Sequence, residues 1–373
     1  MIILFPLNTA CQSLLFFTFF SLPAYSDSIK IREVFMKKSW KKIAAALLAA
    51  ALLAAAMLLT SGCGKKENTE EAARVTLNEV AHSIFYAPQY AAIELGYFKE
   101  EGIELTLVTG FGADKTLTAV VSGDADIGFM GSEASIYAYS QGASDYVINF
   151  AQLTQRAGNF LVAREEMPAF TWEDLKGKKV LGGRKGGMPE MVFEYILRQK
   201  NLDPEKDLSI DQSIDFGSTA AAFSGGAGDF TVEFEPGATS LEKEGKGYVV
   251  ASLGVESGYI PYTAYCARES YLKEQEETVR HFVNALKKGI VYVNTHTPEE
   301  IAKTIQPQFQ ETELDVITRI VKRYAEQDTW KSDLNFEKES FELLQELLLD
   351  AGELKEKVPY EKLVTTKYTE KQK

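Results

Sequence analysis

The chain has 373 residues, 45% hydrophobic and 25% charged, with enough apolar material for two compact units and a composition far from that of a disordered protein. Its net charge of −13 excludes a surface that tracks nucleic acid, because phosphate contacts need clustered Lys and Arg. Cys11, Cys63 and Cys266 are too dispersed for a metal knuckle or a CxxC pair, so no metal, cofactor or disulfide framework is expected and Cys266 reads as an apolar packing residue.

The one basic cluster, Lys37, Lys38, Lys41 and Lys42, opens the segment KKSWKKIAAALLAAALLAAAMLLTSGC at residues 37–63. A basic stretch, an Ala/Leu run and small residues ending at a cysteine are the layout of an export signal. Leu59-Thr60-Ser61-Gly62-Cys63 resembles the lipobox of bacterial lipoproteins, with Thr60 where Leu is commonest. The resemblance implies cleavage before Cys63 and lipidation of its sulfur. A transmembrane helix over Ile43 to Thr60 competes, since the run approaches the ~20 apolar residues a bilayer needs. The small-residue site and the polar stretch Gly64 to Ala73 favour cleavage and tethering instead. Residues 1–35 are then a spurious or discarded extension with Met36 as the expected start, 36–62 a signal peptide, and 63–73 a flexible tether outside the cell membrane.

From Arg74 short apolar strands alternate with helical segments, the pattern of parallel α/β layers. Strands are expected at Arg74 to Val80, Ile103 to Val108 and Asp126 to Met130. Helices are expected from Pro88 to a stop at Gly96, over Lys115 to Ser122, and over Ser132 to Ser140. Val147 to Ala163 reads as a first crossing between lobes. A second unit follows, with Thr171 as an N-cap, a strand at Lys179 to Leu181, a helix at Pro189 to Gln199, strands at Leu208 to Ile210 and Phe230 to Phe234, and a helix near Thr219 to Phe223. The chain returns through Val249 to Ala251 and Tyr262 to Ala267. Beyond Glu269 only helices are expected: Val279, Phe282, Leu286, Ile290 and Val293 recur at helical spacing, and Thr297-Pro298-Glu299-Glu300 is a capping-box pattern. Lobe 1 is expected over 74–157, lobe 2 over 158–265, and a C-terminal helical region returning to lobe 1 over 266–373.

The segment HSIFYAPQYAAIELGYFKEEGIELTLV (82–108) followed by VVSGDADIGFMGSEAS (120–135) resembles the importer-linked (ABC-type) binding proteins for alkanesulfonates, nitrate, taurine and thiamine pyrimidine precursors. That family carries G-[YF]-F-x-x-E-G-[IL], here Gly96 to Ile103, and G-x-[AV]-D-[IFV]-[GA], here Gly123 to Gly128. Trp172 to Lys178 and Gly228 through Glu235-Pro236 follow in the family's order. The resemblance implies a two-lobed periplasmic-binding-protein type II fold with a hinge, no catalysis, a small-molecule solute, permease and ATPase partners, and a monomer.

Ligands of open α/β sheets gather at the carboxyl ends of strands. Four places there are candidates. His82 and Tyr86 follow the first strand, and a lone His is as often structural as functional. Ser132 and Glu133 stand at a helix start after Gly131, where Glu133 also suits the helix dipole. Gly186, Gly187 and Met188 offer flexible backbone ahead of Pro189. Glu233 and Glu235 share a strand face by the period of two, with a solvated edge as the equal alternative. Phe111, Arg156 and Tyr262 complete the set. The acidic balance disfavours an anion and suits a neutral or cationic heteroaromatic, such as a thiamine-type aminopyrimidine, with stacking from Tyr86, Phe111 and Tyr262. A sulfonate, nitrate or taurine binder, a sensor and a pyrimidine-synthase-like enzyme are the alternatives; no GxSxG, HExxH or clustered His/Cys motif supports the last. Gln155 to Gly158 and Gly254 to Pro261 are the expected hinge.

Overall fold

The computed structural model describes residues 72–214 and 217–370. The expected signal segment, Cys63 and nearly all of the expected tether lie outside the described residues.

Lobe 1 opens with β1 (Ala73–Glu79), a 3-10 turn (Ile84–Tyr86), α1 (Ala87–Glu94) and α2 (Tyr97–Glu100). Pro88 occupies the first turn of α1, where its missing N–H has no helical partner to lose. Between α1 and α2, Gly96 adopts φ +75°, a conformation that favours glycine. β2 (Ile103–Thr109), α3 (Ala113–Ser122), β3 (Ile127–Gly131), α4 (Glu133–Ser140) and β4 (Val147–Gln152) follow. β1 pairs in parallel with β2 and β3, and every residue of β3 is buried, as expected of a parallel strand covered on both faces.

Lobe 2 comprises β5 (Phe160–Ala163), a capping-boxed 3-10 turn (Trp172–Leu175), β6 (Lys179–Leu181), α5 (Met188–Gln199), β7 (Ser209–Asp211), α6 (Thr219–Ser224), β8 (Phe230–Glu233), α7 (Gly237–Lys243), β9 (Tyr248–Ser252) and α8 (Leu253–Glu256). The chain then enters β10 (Thr263–Arg268).

The two sheets run β2-β1-β3-β10-β4 and β7-β6-β8-β5-β9. The order is the same in each: two outer parallel strands, a third beside them, then one antiparallel strand that has crossed from the other lobe. This overturns one expected boundary. β10 does not close lobe 2 at residue 265 but pairs with β3 and β4 in lobe 1, so residues 263–268 are a sheet strand of lobe 1.

The C-terminal segments are α9 (Glu269–Glu274), α10 (Glu276–Thr295), α11 (Pro298–Ile305), α12 (Leu314–Glu326), α13 (Lys338–Asp350) and α14 (Tyr360–Leu363). α10 buries Val279, Phe282, Leu286, Ile290 and Val293. The expected capping box is present, with Thr297 N–H donating to Glu300 and Glu300 N–H to Thr297 Oγ1. α10 lies so close to α1 that a β-carbon at Gly289 would collide with the Pro88 carbonyl. No described helix is long and apolar enough to cross a membrane.

Candidate ligand cleft

The carboxyl ends of β1 and β3 face the loop that starts α5 and the segment after β8. Between them lies a cavity of about 60 Å³ lined by Tyr86, Glu133, Gly187, Met188 and Tyr262, together with Arg184, Pro189 and Phe234. A second chamber of about 190 Å³ shares Pro189 and Phe234 as walls and is lined by His82, Asn159, Thr219, Glu233 and Glu235. Five of the twelve expected residues therefore meet in the inner chamber and three in the outer.

Glu133 is the inner chamber's polar centre. It heads α4 and is only 1% exposed, with Oε2 lacking any hydrogen-bond partner. It folds back over Gly131, where a β-carbon would collide with the carboxylate. Burial pushes its carboxyl up to about 7, against the opposing pull of its own amide, the Arg184 charge and the Met188 amide. The neighbouring Ser132 hydroxyl is likewise buried and unpartnered, although Ser132 does not line the cavity. Tyr86 is stacked edge-on against Phe129, which holds its ring against the cavity.

In the outer chamber Glu233 accepts from Thr231 at 2.6 Å, yet burial still holds its carboxyl up at about 7. Asn159 accepts from the Tyr262 hydroxyl, and its own Nδ2 is buried without a partner. Each chamber thus presents a buried carboxyl without a basic partner in an ion pair and one unpaired polar atom.

Five expected residues do something else. His82 engages both ring nitrogens, Nδ1 with Glu79 at 2.7 Å and Nε2 with the Gln308 carbonyl at 2.8 Å. Burial acts to lower its pKa, but the Glu79 and Gln308 bonds prevail and raise it. Glu235 accepts from Thr239 N–H and Oγ1 at 2.9 Å and pairs with Arg323 at 2.6 Å. The carboxylate is therefore structural, and burial, partly offset by Arg323, raises its pKa. Arg156 lies in the first crossing between the lobes, donating to the Gly254 carbonyl at 3.0 Å and stacking on Tyr259. Phe111 is 60% exposed at φ +55° and lines neither chamber. Gly186 acts through its backbone, accepting from Tyr137 and donating to Glu190.

Asn159, Pro189 and Phe234 were not among the expected contacts. Phe234 falls just past the end of β8, where strand alternation stops assigning faces. Asn159 sits at a crossing between lobes, and an unmade hydrogen bond leaves no mark in sequence.

Two α/β sheets of matching order, crossed between and closing on a buried chamber, define a periplasmic-binding-protein fold. The family model described as "NMT1/THI5 like" matches residues 84–301, more than half of the chain. A Bacillus subtilis (strain 168) relative, "Putative binding protein YtlA", is 46% identical over 302 residues, covering 81% of this chain and 90% of its own. The chain belongs to the NMT1/THI5-like family. Similar folds include the alkanesulfonate-binding protein SsuA from Xanthomonas axonopodis pv. citri bound to MOPS, 16% identical with TM-score 0.66, covering 80% of this chain and 99% of that one. The periplasmic aliphatic sulphonate binding protein SsuA from Escherichia coli is 18% identical with TM-score 0.62, covering 78% and 97%.

Proposed function

We propose that the chain is the lipid-anchored, extracytoplasmic solute-binding component of an ABC importer, and that its solute is a small nitrogen-bearing heteroaromatic of the aminopyrimidine type. The observation that carries the solute class is Glu133 Oε2, a buried oxygen without a hydrogen-bond partner, on a carboxyl that lines the same chamber as Tyr86, Phe234 and Tyr262. An apolar ring fits such walls, and an N–H donor fits the carboxylate. A sulfonate or nitrate would need several converging donors and cations, whereas the inner chamber sets Arg184 alone against Glu133, with Glu233 in the next chamber. The family membership and the two-lobed fold support the solute-capture reading.

Mass spectrometry of solute released from the purified protein tests the class directly. A thermal-shift panel should find stabilisation by aminopyrimidines and none by taurine or nitrate; stabilisation by taurine alone would overturn the assignment, and turnover of a pyrimidine precursor would overturn the non-enzymatic reading. Cys63→Ala should move the protein out of the membrane fraction.

A further inference from the structure

Three chain segments run side by side where the lobes join. The first crossing, after β4, is the middle one: Gln155 N–H donates to the Thr329 carbonyl at 2.8 Å on one side, and the Gln155 carbonyl accepts from Ile260 N–H at 2.9 Å on the other. At the lobe 1 end the segments are clamped by the Thr154 and Thr263 hydroxyls, 2.5 Å apart. At the lobe 2 end the clamp is one side chain. Gln327, buried just past α12, donates from Nε2 to the Ala157 carbonyl at 3.1 Å and to Thr329 Oγ1 at 3.0 Å, while its Oε1 accepts from Ser252 Oγ at 2.8 Å. Its amide therefore ties the C-terminal chain to the first crossing at Ala157 and to the end of β9 at Ser252, where the second crossing begins. The approach there is tight enough that a β-carbon on Gly254 would collide with the Ala157 carbonyl and lie 2.8 Å from Gln327 Nε2.

We propose that Gln327 is the positioning residue of the hinge, coupling the first crossing and the end of β9, where the second crossing begins, to the C-terminal chain, so that lobe opening must break or carry its hydrogen bonds to Ala157 and Ser252. Hinges concentrate rotation in a few residues between fixed ends. The hydroxyl clamp and the Gln327 clamp bracket Gln155 and Arg156, so the rotation falls on those two and on the segment 254–261. Gln327 touches neither chamber, and its effect reaches the ligand only through the balance of open and closed forms. The purpose of this device rests on the solute-capture reading; its test does not.

Hydrogen–deuterium exchange on the full chain without added ligand reads lobe opening from the peptides around Tyr86, Glu133 and Met188. Gln327→Met should speed their exchange roughly fivefold, as loss of a typical net hydrogen bond would, while β1 and β6 exchange as before. Ser252→Ala, which leaves Gln327 two of its bonds, should give a smaller change of the same pattern, and the effect of the double variant should fall short of the sum of the two single effects. Unchanged cleft exchange in both variants, or exchange rising evenly through both sheets, would overturn the proposal. Neither result depends on which solute binds.

Discussion

The hydroxyl of Tyr137 on α4 donates to the carbonyl of Gly186 at 2.9 Å, joining the helix that carries Glu133 to the loop that carries Gly187 and Met188. A bond between the two lobes whose partners line neither chamber belongs to closure rather than to recognition. Tyr137→Phe should weaken solute binding roughly fivefold, the worth of about 1 kcal/mol, and leave the order of preference among solutes unchanged. Calorimetric titration of wild type and variant against the same solutes checks both parts.

Glu133 itself bears on recognition. At pH 8, above the value of about 7 at which its carboxyl is held, Glu133→Gln replaces an ionised acceptor by a neutral amide and should cost about 1.5–3 kcal/mol, or roughly 10- to 150-fold in affinity. Equal affinity in the variant would move the recognition to the outer chamber.

Stability should fall from pH 5 to pH 8 in the ligand-free protein. Glu133 and Glu233 are held at about 7 against an ordinary 4.5, so the folded chain binds more protons than the unfolded one between those values. Their stabilisation is complete below about 4.5 and is lost as pH rises through about 7. His82, also raised above its ordinary 6.5, acts with the same sign. At the acid end the sign reverses for groups such as Asp211, held down to about 2 by Ser213 and Lys179. Thermal melts across this range should show the decline, and Glu133→Gln should flatten it.

Gly289→Ala sets two effects against each other. Alanine in a helix interior is favoured over glycine by about 1 kcal/mol. Here the added carbon would collide with the Pro88 carbonyl, a backbone atom that cannot step aside, and overpacking costs about 1–3 kcal/mol. A net loss is expected, seen as a lower urea midpoint; a higher midpoint would mean that α1 and α10 can separate.

Glu235→Gln should destabilise by about 2 kcal/mol, toward the low side for a broken buried pair because Arg323 is a quarter exposed. Solute affinity should not change. A loss of affinity without a loss of stability would return Glu235 to the ligand site.

The architecture was legible where local chemistry decides it. Lys179 to Leu181 lies between Gly177 and Gly182 and forms β6 with those bounds; Thr297 and Glu300 form the expected capping box. Residues expected after β1 and at the starts of α4 and α5 do line one chamber together. Roles were less legible. His82 is neutralised as a candidate by a carbonyl 226 positions away, and Glu235 by an arginine 88 positions away. Residue type and strand-end position tell that a polar group is near the cleft, but long-range partners decide whether it remains available. Phe111 failed for a different reason: an aromatic in a cleft-side loop can face water as readily as ligand.

The placement of β10 has a consequence for biogenesis. Lobe 2 can complete its sheet from one continuous run, β5 to β9, whereas lobe 1 has β1 to β4 early and waits for a strand that begins at Thr263. The lobe that emerges first is finished last. While the intervening residues are made, the edges of β3 and β4 that β10 will join stand open to other strands, so the interval between Gln152 and Thr263 is when this chain is most exposed to mispairing.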